Sequence, residues 1–189
     1  MAAEWLAVRQ FVRHECDEPL ADFVLRTGRL PLTAWQASTH YGLPLVLVLL
    51  PAVILAIAGF TDGFSRATFA AFLPLVLAVI TARRQYRKLR CTPVRTPLKA
   101  GDFGPLLKEL CRLHGWEPLH YGTDCFVGRT HPGFPIPSWG ERLYVVFGKG
   151  EVQINSISDP DERTAISSFG RNRRNIRLIR EAVERARKA

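Results

Sequence analysis

The sequence contains few of the residues and motifs from which a reaction can be inferred. It has one Met and four Cys in 189 residues, too few cysteines for a disulfide framework. It has no phosphate-binding loop of the P-loop or dinucleotide type, and no Gly-x-Ser-x-Gly elbow. The apolar content of 47% excludes a disordered chain. Composition and motifs therefore point to no particular reaction or ligand.

Charge is absent from two long stretches, residues 43–60 and 67–82. Twelve of the eighteen residues in the first stretch are Leu, Ile, Val or Phe, and such a run is typical of a membrane span. The second stretch becomes a span of about 64–82 if Arg66 extends toward the interface. The alternative is a helical hairpin buried in a protein core, but covering two apolar helices on all sides needs more protein than this chain supplies. The sequence therefore predicts a membrane protein with a two-helix transmembrane hairpin at 43–82.

Acidic residues are absent from the segment that follows, residues 83–100, which we interpret as a basic juxtamembrane linker. A cluster of basic residues beside a span predicts the cytoplasmic side, and a hairpin brings both termini to that side. Arginine outnumbers lysine by 21 to five, which indicates a GC-rich bacterial genome. The expected location is a bacterial cytoplasmic (inner) membrane, with a multi-pass chain and both termini cytoplasmic. The basic residues directly after the second span are Arg83, Arg84, Arg87, Lys88 and Arg90.

Residues 1–42 are predicted to form an N-terminal helical segment on the cytoplasmic side. Apolar residues with helical spacing indicate an amphipathic helix over 3–16. A second short helix is expected to start at Asp17 and end near Gly28. Two arrangements stay open, since these helices can lie on the membrane or cover the rest of the protein.

Residues 101–189 have the patterning of a small cytoplasmic α+β domain of order α-β-β-β-α. One helix is expected from Asp102 to a stop at Gly115, and another over 172–188. Three strands are expected at about 119–129, 142–147 and 152–157, and the last two should pair as an antiparallel hairpin.

Metal sites are not indicated. Cys111, His114, His120 and Cys125 have a spacing unlike that of structural zinc sites, so we interpret them as a core thiol, a helix-end histidine and strand residues. We expect no metal, no cofactor and reduced thiols. An alternative is a metal-dependent nuclease core that uses carboxylates such as Glu151, but the lysine such a motif needs is missing.

An anion site is predicted at the start of the last helix, where Arg171, Arg173 and Arg174 place positive charge beside free backbone N–H groups. A lipid phosphate or a phosphorylated partner would relieve the conflict with the helix dipole. The basic residues of 83–90 belong to the same predicted anion-binding or lipid-binding set. In the alternative, Asn172 caps the helix and the arginines, on a solvated face, pair with Asp159, Asp161 or Glu162.

A proline-rich loop supplies the last candidate site. Phe134, Ile136 and Trp139 give it apolar surface, and it can serve as a partner-binding loop or cover a sheet edge.

These features favour a membrane-tethered interaction or sensing module rather than an enzyme. The expected partners are the lipid bilayer with its anionic headgroups, and a protein partner or a second copy of the chain, with nucleic acid disfavoured. The alternative is a membrane-anchored enzyme of the metal-dependent hydrolase or nuclease type.

Overall fold

A computed structural model describes residues 18–59, 64–131, 140–162 and 170–188. The predicted amphipathic helix at 3–16 lies outside the described residues. The helices are α1 (Glu18–Thr27), α2 (Ala34–His40), α3 (Gly42–Gly59), α4 (Phe64–Lys88), α5 (Phe103–His114) and α6 (Arg171–Lys188), with a short 3-10 helix at Ala100–Asp102. The strands are β1 (Thr92–Arg95), β2 (Glu117–Tyr121), β3 (Cys125–Arg129), β4 (Glu141–Phe147) and β5 (Glu151–Ser158).

The chain divides into two compact units. The helical unit comprises the described residues within Leu32–Lys88 and Pro160–Ile166, and therefore contains α2, α3 and α4. The sheet unit comprises those within Met1–Pro31, Leu89–Asp159 and Ser167–Ala189, and contains α1, α5, α6 and the five strands.

The predicted transmembrane hairpin is wrong. In the part of the chain that the structure describes, no single helix combines the length and the apolar character that crossing a membrane requires. Helix α3 has 18 residues, which gives about 27 Å against a hydrocarbon core of ~30 Å. Helix α4 reaches 25 residues only by including the basic residues at its end. One pair of consecutive helices has the length and composition of a span when the two are taken together, but they meet at an angle of 68°. The pair is Ala34–His40 with Gly42–Ile57. The multi-pass inner-membrane location rested on the hairpin and is corrected with it.

The helical unit is held together by α3 packed against α4 and by contacts of α2. Thr33 begins α2 with a capping box, in which its hydroxyl accepts from the Gln36 N–H and the Gln36 side chain accepts from the Thr33 N–H. At the other end of α2, the buried His40 imidazole donates from Nε2 to the carbonyl of Gln85 in α4, at 3.1 Å. This bond joins α2 to the C-terminal part of α4.

We expect the helical unit to lose stability when the pH falls below 6.5. Burial lowers the pKa of His40 from its ordinary value of 6.5, the bond to Gln85 partly opposes this, and the charge of Lys88 lowers it further. The unfolded chain therefore takes up a proton before the folded one, so stability is present above pH 6.5 and is lost as the pH falls through the folded pKa. The measurement is urea unfolding from pH 8 to pH 4.5. In the His40→Gln variant the free energy of unfolding should fall less steeply with falling pH. If its dependence on pH is the same as in the wild type, His40 is not the group responsible.

The sheet unit contains a five-stranded antiparallel sheet of order β1-β5-β4-β3-β2. The predicted order α-β-β-β-α is therefore wrong in strand number. Strand β1 was missed because it is four residues long and includes Pro93, a residue confined to edge strands. The strand predicted at 119–129 is the two strands β2 and β3, because the chain turns between Tyr121 and Cys125. The antiparallel pairing of β4 with β5 agrees with the sequence.

One face of the sheet packs against α5 and α6. Alternate side chains of β4 and β5, such as Val145 and Ile154, lie in one core with Leu107 of α5 and Ile179 of α6, all at most 1% exposed. Gly115 ends α5 with φ of 63°, the left-handed conformation that favours glycine. These contacts fix the end of α5 and the beginning of α6 against the sheet.

Two buried cysteines, Cys91 and Cys111, are free, and burial raises the pKa of each thiol to about 11. Cys125 is disulfide-bonded. The expectation that all thiols are reduced is therefore wrong for Cys125. The free thiols have the character of core residues and not of nucleophiles, because a raised pKa disfavours the thiolate.

Candidate functional site

The first turns of α6 are anchored to β5 by amide side chains. The Ser156 hydroxyl donates to Asn172 Oδ1 at 3.1 Å and accepts from Asn175 Nδ2 at 3.2 Å. All three residues are buried. Asn172 thus lies inside the helix and bonds to the sheet, whereas the sequence had offered it as a helix cap.

Arg171, the first residue of α6, faces the buried carboxylate of Glu141 in β4. Arg171 Nη1 lies 3.8 Å from Glu141 Oε1, and the Glu141 side chain is 1% exposed. The Thr130 hydroxyl donates to the other carboxylate oxygen, and the Glu141 N–H donates back to the Thr130 hydroxyl at 2.8 Å. Glu141 is therefore held in place, and it restricts the position of the Arg171 guanidinium.

An open pocket of about 370 Å³ lies where α5 ends, β3 ends and α6 begins. Its polar side chains come from each of these three places, and Leu178 adds an apolar wall. The residues that line it are His114, Gly115, Thr130, His131, Arg171, Arg174, Asn175 and Leu178.

The pocket is rich in groups that attract anions. Two guanidinium groups and two imidazoles line it, and none of its described lining residues is acidic. Two carboxylates pair with lining residues: Glu141 Oε1 lies 3.8 Å from Arg171 Nη1, and Glu117 Oε2 lies 3.5 Å from His131 Nε2. Arginine forks and imidazole N–H groups are the donors that carboxylates and phosphates accept from.

One donor at this pocket is unsatisfied. Arg171 Nη1 is buried and makes no hydrogen bond with any described residue, since 3.8 Å to Glu141 is too long for one. Buried donors are nearly always paired in proteins, so an unpaired one requires an explanation. An anion in the pocket is one group that can accept from this nitrogen, once the Arg171 guanidinium turns toward it.

A second buried charge cluster lies near the same sheet end. Asp159, whose side chain is fully buried, is paired with Arg142 at 2.7 Å and with Arg129 at 3.0 Å. The sequence had offered Asp159 as a partner for the arginines of α6, but its carboxylate pairs with arginines of β3 and β4. Arg171 instead faces Glu141.

The structure separates the three arginines predicted as an anion site. Arg171 and Arg174 line the pocket. Arg173, which is exposed as Arg174 is, is not among the lining residues. Sequence reasoning missed His114, His131 and Asn175 as their neighbours. The position of His114 in the last turn of α5 was a signal for a helix end, but nothing local indicated that it would meet α6.

The basic residues of 83–90 do not belong to this pocket. Arg83, Arg84, Arg87 and Lys88 lie in α4 of the helical unit. Arg90 belongs to the sheet unit, where it forms an isolated antiparallel bridge with Arg29. Burial, and then the charge of Arg84, lower the pKa of Lys88. These residues therefore occupy two units of the chain.

The remaining candidates give no site among the described residues. Phe134, Ile136 and Trp139 lie outside the described residues. No group of three or more His, Cys, Asp or Glu in the described ranges is placed to hold a metal ion.

Comparison with known proteins adds no assignment. No family model, no curated protein and no solved structure matches the chain. The chemistry of the pocket residues is therefore the basis for the proposal below.

Proposed function

We propose that the protein is a binding module of the interaction or sensing type, and that it binds an anion in the pocket between α5 and α6. The observation that carries the proposal is the lining itself, where two arginines and two histidines converge and no described lining residue is acidic. Two of these groups each have one carboxylate beside them outside the lining, Glu141 at Arg171 and Glu117 at His131. An anion is the ligand whose charge and hydrogen-bond acceptors suit such a lining.

The position of the arginines supports the proposal. Arg171 and Arg174 are three residues apart in α6, so their side chains lie on one face of the helix. Glu141 restricts Arg171, and Ser156 holds Asn175 on the adjacent helix turn. Groups that are held before binding lose less side-chain entropy when the ligand arrives.

The charge at the start of α6 supports it further. Basic side chains in the first turn oppose the helix dipole, and α6 has no acidic residue in that turn. Each opposing charge costs a few tenths of a kcal/mol or more at the helix end. A bound anion would interact favourably with the arginines and with the dipole together.

The test is thermal unfolding of the full chain in a sulfate titration at constant ionic strength. Sulfate should raise the unfolding midpoint of the wild-type protein, because a ligand that binds only the folded state stabilises it, by about 2.7 kcal/mol at a hundred times its Kd. The double variant Arg171→Gln, Arg174→Gln should lose this increase.

The matched control is Arg173→Gln, Arg177→Gln, which removes the same charge from exposed positions of the same helix that do not line the pocket. This variant should respond as the wild type does. Equal responses in all three proteins would mean that sulfate acts through general exclusion from the protein surface, and the proposal would then be wrong.

A further inference from the structure

We infer that the anion is the terminal phosphate of a small phosphomonoester. The inference rests on the proposed anion pocket and names the class of ligand. It is drawn from the number of donors, from the unpaired Arg171 nitrogen and from the size and mixed lining of the pocket.

The donors outnumber what a carboxylate or a phosphodiester accepts. Two guanidinium forks and two imidazoles line the pocket, and each fork can donate two parallel hydrogen bonds. A carboxylate and a phosphodiester each present two terminal oxygens and one negative charge. A phosphomonoester presents three oxygens and a charge of about −1.5 to −2. A phosphomonoester therefore matches the charge and the donors of two guanidinium groups more fully than a carboxylate or a phosphodiester does.

The state of Arg171 points in the same direction. Its Nη1 atom is buried without a hydrogen bond among the described residues, although a carboxylate of this chain lies 3.8 Å away. Glu141 is already engaged by the Thr130 hydroxyl and by its own N–H bond to Thr130. Arg171 is thus positioned by a carboxylate that does not satisfy it. Because the nitrogen is enclosed, a phosphate oxygen accepts from it only when the guanidinium turns toward the pocket.

The size of the pocket favours a small organic phosphate over a bare ion. Its volume of about 370 Å³ falls at the lower end of the ~300–1,000 Å³ found for small-molecule sites. Leu178 and Gly115 supply lining without charge. The pocket therefore has room and apolar surface for a group attached to the phosphate.

The experiment is isothermal titration calorimetry of the full chain at pH 7.5 with four probes that separate the classes. Phenyl phosphate is the monoester, methyl phenyl phosphate is the diester, benzoate is the carboxylate, and inorganic phosphate is the bare ion. Phenyl phosphate should bind at least tenfold more tightly than each of the other three. The double variant Arg171→Gln, Arg174→Gln should lose at least tenfold in affinity for it, and Arg173→Gln, Arg177→Gln should bind it as the wild type does.

The outcomes test the phosphomonoester inference separately from the proposed anion pocket. If the monoester, diester and carboxylate bind equally and the pocket variant loses all three, the anion pocket stands and the phosphomonoester assignment is wrong. If inorganic phosphate binds as tightly as phenyl phosphate, the inferred organic portion is wrong. If the wild-type chain binds none of the probes, the inference and the anion pocket both fail. Thermal unfolding of the same chain checks that phenyl phosphate binds the native state, because saturating phenyl phosphate should then raise the unfolding midpoint.

Discussion

Replacing Asp159 with Asn is expected to destabilise the sheet unit by about 3–5 kcal/mol, the usual cost of removing one partner from a buried ion pair. The Asp159 side chain is fully buried, and Arg142, which it pairs with at 2.7 Å, is 5% exposed. Loss of the carboxylate charge removes the ion pair at 2.7 Å from the Arg142 guanidinium, which stays buried. Urea unfolding, followed by circular dichroism, measures the change in the free energy of unfolding.

The matched control is Glu109→Gln in α5. Glu109 pairs with Arg112 at 2.8 Å, nearly the same distance, but both side chains are more than half exposed. Water and mobile ions screen such a pair, so its loss should change stability little. If Asp159→Asn lowers the free energy of unfolding no more than Glu109→Gln does, the buried Asp159 pair does not stabilise the sheet unit as we infer.

Replacing Phe103 with Ala is expected to cost about 3–5 kcal/mol, because the change removes a large buried ring and leaves a cavity. Phe103 begins α5, is 1% exposed, and stacks on Phe147 of β4 with 4.9 Å between ring centroids. The same unfolding measurement applies, and a lower denaturant midpoint with an unchanged slope is the expected result.

Leu113→Ala supplies the comparison within the same helix. Leu113 is 58% exposed, so its truncation should change the free energy of unfolding by only about 0.5 kcal/mol. A similar cost for both variants would show that Phe103 is not part of a tightly packed core.

Local patterns were sufficient to predict much of the sheet unit. The helical spacing of apolar residues and the glycine after His114 located α5, and the same spacing located α6. The turn between Phe147 and Glu151 was visible as a glycine-rich segment, which identified β4 and β5. Strand β1 was not predictable in this way, because the strand with which it pairs in the described part of the chain, β5, lies far along the sequence.

The apolar run at 43–60 shows what composition alone cannot predict. A count of apolar residues gives neither the point at which a helix ends nor the angle at which it meets the next one. Among the described residues, α3 covers Gly42–Gly59 and lies at 68° to α2 across Tyr41. Those features decide whether a helix is long enough to cross a membrane, and they depend on the folded chain.

In the candidate site too, some residues could be predicted from the sequence and others could not. Arg171 and Arg174 were identifiable because basic residues oppose the dipole at the start of a helix. His114 and His131 were not, because their approach to α6 depends on the strand order of the sheet. Arg173 could not be separated from its neighbours without knowing which face of α6 contacts the sheet.

The pairing of β1 with β5 also constrains the order of events during synthesis. Every neighbouring pair from β2 to β5 can form as the chain emerges, but β1 must wait until β5 has been made. At ~5–20 residues per second, that wait is on the order of several seconds. Throughout it, β1 has no strand to pair with, and the core lacks α6. We therefore expect the sheet unit to fold late and to be open to chaperones until its last helix leaves the ribosome.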